Sequence, residues 1–345
     1  MIELRSDTFT LPTARMREAM AGAPVGDDGY GEDPTVARLE ELAAHLVGKP
    51  AACFLPSGTM ANLCAILAHA PRGTRVLLGD ESDAYRCEAG GASVVGGVAY
   101  EPLPTAPDGT LALADVAGAC ACDPEDPQFA VPSLVCLENT HNRCGGQVLP
   151  LPYLAAFHRL ARRYGLGVHL DGARLFNAAV ATGEPAARIA GHADSVQFCL
   201  SKGLCSPSGS MVAGPAGFVT AARRVRKLLG GGMRQVGVIA AAGIVALEEM
   251  VDRLADDHAL AARLADGLAE IPGLIVEPAA VRTNIVMFRV VDERFTWQRL
   301  ITEARANGLA LSDSGYGRIR AVTHHGIDID QIDKALAIIQ GVLTR

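Results

Sequence analysis

The sequence predicts an α/β protein with a mostly parallel sheet in a large domain, followed by a small C-terminal α+β domain. Three observations point there. Between about residues 34 and 215, helical periods alternate with short, continuous apolar runs, the pattern of strands covered on both faces by helices. Beyond residue 230 that alternation gives way to long helical sequence and then to short strand-like runs. The chain has 345 residues, 49% of them apolar, enough for two bodies at roughly 150 residues each.

The first 30 residues carry no strong periodicity and read as an arm that wraps around another part of the protein or a partner subunit. Helical spacing begins at 35–47 and is followed by an apolar run at 51–55, a helix at 58–70 and a second run at 74–78. Runs at 133–137, 167–170, 195–200 and 210–213 read as further buried strands, with helices at 152–164 and 218–229. Residues 236–254 continue into 255–270 as helical sequence linking the two bodies. Strand-like 274–277, 284–289 and 318–321, with helices at 296–306 and 328–343, make the closing module. The expected division is an arm at 1–30, a large domain at 31–250 and a small one at 251–345.

A net charge of −7 argues against nucleic acid or an anionic membrane as the main partner. The longest apolar run, 236–247, has 12 residues, short of the ~18–20 of a spanning helix. Charges stand in the first seven residues where a signal peptide needs an apolar stretch, so a soluble, cytoplasmic protein is expected. Nine cysteines, an odd number, read as reduced core thiols. No metal site is expected, since His324 and His325 are adjacent and no carboxylate or cysteine stands at ligand spacing from them. Only four of the 31 basic residues are lysines.

Four predicted strands end in chemistry-bearing residues, where ligands gather on such sheets. Leu55-Pro56-Ser57-Gly58-Thr59 turns a strand into a helix whose first amides are unpaired. That turn suits a phosphate, and it also suits a plain helix cap. Asp171 closes the next such strand and needs a cationic or hydrogen-bonding partner, with Arg174 at hand for an internal ion pair. Lys202 follows the run 195–200, whereas Lys49, Lys227 and Lys334 lie in or beside helical stretches. His141 ends the run 133–137 through Glu138-Asn139-Thr140, either as a satisfied structural histidine or as a catalyst. Together, a phosphate cradle, a buried aspartate and a strand-end lysine match what pyridoxal 5'-phosphate requires: a Schiff-base amine, a partner for the ring nitrogen and an anion site.

The same residues resemble a known family, the pyridoxal-phosphate-dependent low-specificity L-threonine aldolases. The resemblance runs through Arg5-Ser6-Asp7-Thr8, Asp28-Gly29-Tyr30-Gly31, Ser57-Gly58-Thr59-Met60-Ala61-Asn62, Glu138-Asn139-Thr140-His141-Asn142, Asp171-Gly172-Ala173-Arg174, Ser201-Lys202-Gly203, Gly230-Gly231-Gly232-Met233-Arg234-Gln235 and Arg320-Ala321-Val322-Thr323-His324. It implies the fold of PLP-dependent transferases of fold type I, similar to aspartate aminotransferase, as a homodimer or homotetramer with active sites at the dimer interface. It implies cleavage of a β-hydroxy-α-amino acid to glycine and an aldehyde. By resemblance Lys202 carries the cofactor and Asp171 pairs with its ring nitrogen. Ser57, Gly58, Thr59 and, from the neighbouring subunit, Arg234 hold its phosphate. Ser6, Tyr30, Arg174 and Arg320 fall at substrate-binding positions, Arg174 also at a cofactor-binding one, and His141 lies near the substrate hydroxyl.

One position departs. Where the family has Ser-His, with the histidine against the cofactor ring, this chain has Ser82-Asp83. A carboxylate cannot stack as imidazole does. Asp83 either faces water with aldolase activity retained, or acts as a base or meets a cationic substrate group. Lys202, Asp171 and the phosphate turn equally serve a racemase or aminotransferase of a small amino acid, or a cofactor-binding protein without catalysis, so these alternatives stay open on sequence.

Overall fold

A computed structural model describes residues 1–344. The apolar runs form the strands Ala51–Leu55 (β2), Arg75–Gly79 (β3), Pro132–Glu138 (β5), Gly167–Asp171 (β6), Ser195–Cys199 (β7) and Ser210–Gly214 (β8), after a short β1 at Ile2–Glu3. With Ala99–Leu103 (β4) they make one seven-stranded sheet in the order β2-β8-β7-β6-β5-β3-β4. Only β8 runs against its neighbours; the β7-β6, β6-β5, β5-β3 and β3-β4 pairs are parallel. Every residue of β7 and β8 is buried, which is why their sequence shows no in–out alternation.

The strand β4 has no counterpart among the sequence-based strands. It lies at the sheet edge, pairs only with β3, and its Ala-Tyr-Glu-Pro-Leu is half exposed. An edge position tolerates the proline and leaves no apolar signature. Its Glu101 is held by Arg75 of β3.

The reading of the first 30 residues as without a strong element is corrected. Ala14–Ala21 is a helix, opened by Thr13, whose side chain accepts from the Met16 amide. Only Met16 is buried in it, so its periodicity is faint. β1 pairs in parallel with Leu309–Ala310 (β11, after β9 at Leu274–Val276 and β10 at Ile285–Val290) and adds Ile2 and Leu4 to the apolar cluster of the C-terminal module.

The continuous linking helix is also corrected. Gly237–Glu249 and Leu254–Ala269 are separate helices. The first is buried nearly all round in the main core. The second instead buries a stripe of Leu254, Ala261, Leu264, Ala265 and Leu268, four of which belong to the C-terminal cluster. A chain that changes packing partner must change direction between them. The closing sheet, completed by Ser312–Asp313 (β12) and Arg318–Val322 (β13), is antiparallel in the order β12-β13-β10-β9. Trp297–Ala306 and Ile329–Leu343 contribute to its core. No helix among the described residues is long and apolar enough to cross a membrane.

Candidate active site

The carboxyl ends of β2, β6 and β7 open onto a cavity of about 320 Å³ whose walls include Ser57, Gly58 and Thr59 with Asp171, Lys202 and Asp83. The helix Gly58–His69 starts on this wall, and Ser57 caps it by accepting from the Met60 amide at 3.2 Å. The turn is therefore a cap whose remaining amides stay available to an anion. Gly58 is sterically required: a Cβ there would sit 2.8 Å from Cys199 Sγ and 3.2 Å from Gln197 Nε2. Gly58→Ala is expected to lower stability by about 1–3 kcal/mol through this overpacking, measured by denaturant unfolding.

Asp171 is held at both oxygens, Oδ2 by Asn62 Nδ2 at 2.8 Å and Oδ1 by the Ala173 amide at 3.0 Å. Burial pushes its pKa up, opposed by the positive charge of Lys202. Among the described residues no carboxylate lies within ion-pairing distance of Lys202 Nζ, while its carbonyl is fixed by the Thr10 hydroxyl at 2.8 Å. The ion pair between Asp171 and Arg174 that spacing allows does not form. Arg174 reaches instead to Asp7 of the arm, Nε to Oδ2 at 2.7 Å and Nη2 to Oδ1 at 2.8 Å, and Asn284 Nδ2 donates to the same Asp7 Oδ2. The guanidinium holds the Asp7 carboxyl well below the usual carboxylate range, against the burial that would raise it.

Asn142 joins the remaining groups. Its Oδ1 accepts from Arg320 Nη1 at 2.7 Å and from Arg174 Nη1 at 3.5 Å, while its Nδ2 donates to both oxygens of Asp83 at 3.1 and 3.2 Å. The two arginines and Asp83 are thus one side-chain amide apart. Ser6 caps a short turn by accepting from the Thr8 amide at 3.2 Å, and its Oγ lies 3.5 Å from Oδ1 of Asp7, the carboxylate that Arg174 grips.

His141 is not brought to the cavity wall. It is 2% exposed, its Nδ1 has no hydrogen bond, and the closest carboxylate oxygen, Glu138 Oε1, is 3.8 Å away. Burial pushes its pKa down to about 4. Nor do Tyr30 and Arg234 join Lys202 within the chain. They line a separate cavity of about 720 Å³ with Asp28 and Arg226. Tyr30 is 78% exposed, and Arg234 Nη1 lies 3.1 Å from Asp27 Oδ2.

Sequence reasoning assigned no role to Asn62, Asn142, Asp7 or Glu88, although the first three stand inside the quoted motifs and Glu88 follows Asp83 by five residues. Glu88 lines the cavity and accepts from Asn62 Nδ2 at 2.9 Å. Burial, then the charge of Asp171, pushes its pKa up to about 8. The folded chain therefore holds this proton more tightly than the unfolded one. Its stabilising contribution is complete below about 4.5 and is lost as pH rises through about 8. Glu88→Gln is expected to abolish that alkaline loss, seen as a flatter thermal midpoint between pH 6 and pH 9 (about three units, bracketing the shifted value).

Solved structures share this architecture. A threonine aldolase from Leishmania major superposes with a TM-score of 0.80 at 20% identity, covering 100% of this chain and 99% of that one. A serine palmitoyltransferase from Sphingomonas wittichii gives 0.78 at 17%, over 99% and 86%. The fold is that of the fold type I enzymes, as the sequence predicts. A model of the beta-eliminating lyases matches residues 3–291, and the chain belongs to that family. Its relatives include a probable low-specificity L-threonine aldolase 2 of Arabidopsis thaliana, 46% identical over 95% of this chain and 94% of that protein. The low specificity L-threonine aldolase of Escherichia coli K12 is 44% identical over 100% of both chains.

Proposed function

We propose that the protein is a pyridoxal-phosphate-dependent lyase that cleaves a β-hydroxy-α-amino acid of the L-threonine or L-allo-threonine type to glycine and an aldehyde. The observation that carries this is Lys202 and the doubly anchored Asp171 on one cavity that begins at the Ser57-Gly58-Thr59 turn. The residues fit the cofactor: unpaired helix amides beside a glycine that admits no Cβ, and a buried Gln197 Oε1 without a partner in the same wall. Bound there, pyridoxal phosphate supplies a sink for the electron pair released when the Cα–Cβ bond breaks.

The chain's own residues do the rest. Lys202 offers its amine as the attachment point, and Asp171 presents negative charge to the ring nitrogen. Ser57, Gly58 and Thr59 receive the phosphate. Arg174 and Arg320 are arranged to take the substrate carboxylate at the point where Asn142 Oδ1 now meets both, with Ser6 next to the Asp7 that Arg174 grips. A carboxylate seated there brings the β-hydroxyl toward Asp83, which lines the cavity and is one amide away from both arginines. Asp83 is therefore our proton acceptor for that hydroxyl. His141, buried and absent from the cavity wall, is the weaker candidate, since a general base must come within hydrogen-bond reach of the proton it takes.

The exposure of Tyr30 and the placement of Arg234 away from Lys202 support a homodimer or homotetramer in which these residues complete the neighbouring site. The two main apolar clusters support a large domain at 31–250 and a small one at 251–345, and the segment 1–30 gives Met16 to the first cluster and Ile2 and Leu4 to the second, as an arm lying across both would. The nine free cysteines fit the cytoplasm. The test is incubation of the purified protein and cofactor with L-threonine, L-allo-threonine and phenylserine. Aldehyde from at least one supports the reading, and aldehyde from none removes it.

A further inference from the structure

A relay of buried hydrogen bonds behind the cavity ends on the residue that holds Asp171. Asn62 stands in the first turns of the helix Gly58–His69 and is 3% exposed. Its Nδ2 spends one hydrogen on Asp171 Oδ2 at 2.8 Å and the other on Glu88 Oε1 at 2.9 Å. Its Oδ1 meets His169 Nε2 at 3.2 Å; His169 Nδ1 lies 2.8 Å from Ser195 Oγ, and Ser195 Oγ lies 2.8 Å from His69 Nε2.

With Asn62 Nδ2 on its two carboxyl partners and Oδ1 therefore on the His169 side, one assignment of protons satisfies this chain. An amide oxygen only accepts, so His169 carries its proton on Nε2 and its Nδ1 is bare. The Ser195 hydroxyl must then donate to Nδ1, and its oxygen accepts from His69 Nε2–H. Burial holds both imidazoles neutral, pushing His169 down to about 3 and lowering His69 as well. The far end is anchored by the His69 ring stacked on Phe218 at 4.6 Å between centroids. Flipping the Asn62 amide would turn its oxygen toward two carboxyl groups and its NH₂ toward a protonated Nε2. The two carboxyls set the observed sense, and to follow a flip the relay would have to move every proton along its length.

We propose that Asn62 is the positioning residue for Asp171, its amide oriented by Asp171 and Glu88 and braced from behind by the relay through His169, Ser195 and His69, and that Glu88 shares the same amide as a second carboxyl of the site. The inference rests on the cofactor reading above. The NH₂ group gives one hydrogen to each carboxyl, and the two acids disfavour being charged together: burial and the charge of Asp171 raise the pKa of Glu88. Ser195 and His69 are not among the residues lining the cavity. They act on Asp171 only through Asn62.

The test is a double-mutant cycle of Asn62→Ala and Ser195→Ala, read as the dissociation constant for pyridoxal phosphate and as kcat and KM separately. Losing one buried hydrogen-bond partner predicts about tenfold weaker cofactor binding and about tenfold lower kcat for Ser195→Ala, with KM nearly unchanged. Asn62→Ala should cost more, and the double variant should match Asn62→Ala alone. Additive effects, or cofactor affinity unchanged in both single variants, overturn the proposal. Asn62→Ser, a change at the cavity wall, replaces the cycle where the buried Ser195→Ala chain does not fold: weakened cofactor binding supports the proposal, and wild-type affinity overturns it. Wild-type protein that takes up no pyridoxal phosphate would instead defeat the cofactor reading itself.

Discussion

Lys202→Ala is expected to eliminate aldehyde release, lowering kcat by on the order of 10⁴-fold or more, the scale seen when an enzyme loses its attacking group. No other lysine can take its place. Lys49 is committed to the Ala193 carbonyl at 2.6 Å, and neither Lys227 nor Lys334 lines the cavity. The fold should be indifferent to the change, because among the described residues the side-chain amine makes no ion pair and the backbone anchor from Thr10 is to the carbonyl. The measurement is aldehyde release beside thermal unfolding. A variant that retains a tenth or more of wild-type turnover (about one decade, far short of a lost nucleophile) would show that the amine is not the attachment point.

Asp83→Asn is expected to lower kcat by about 10²- to 10³-fold, the usual range for loss of a positioned general base. The asparagine is isosteric and can still meet Asn142, so the arginine arrangement should survive and KM should move little. His141→Asn should have a much smaller effect, because its imidazole faces Glu138 and not the cavity. Asp83→His should keep substantial activity, since imidazole also accepts a proton near neutral pH. Steady-state kinetics of the three variants on one substrate decide the matter. A larger loss from His141→Asn than from Asp83→Asn would return the proton-acceptor role to His141.

The central features of the site were legible because they lie at strand ends. A continuous apolar run followed by Asp171, by Lys202 or by Ser57-Gly58-Thr59 marks both the buried strand and what it delivers, and the structure places all three on one cavity. The arginine arrangement was not legible in that way. Arg174 sits three residues from Asp171, and spacing alone allows the two to pair. The fold sends its guanidinium to Asp7, 167 positions away in sequence. Asn142 was visible in its motif, but its role depends on Arg320 arriving from β13 of the C-terminal sheet and Asp83 from the segment after β3. Local pattern also misplaced His141: a strand-end position says which end of the sheet a residue occupies, not whether its side chain turns into the cavity or behind it. The same holds for the fold. β7 and β8 announced themselves through unbroken apolar sequence, whereas β4, at an edge, and the helix Ala14–Ala21, with one buried residue, left too little apolar surface to detect.

The most direct measurement is a carbon balance on wild-type protein loaded with pyridoxal phosphate and supplied with L-threonine and, separately, L-allo-threonine. Retro-aldol cleavage with Lys202, Asp171 and Asp83 in these roles predicts glycine and acetaldehyde released in equal amounts from at least one of the two. Recovery of the amino acid's epimer, or of 3-hydroxy-2-oxobutanoate when a 2-oxo acid is added as amino-group acceptor, with no acetaldehyde from either substrate, would contradict it and assign the site to racemisation or transamination.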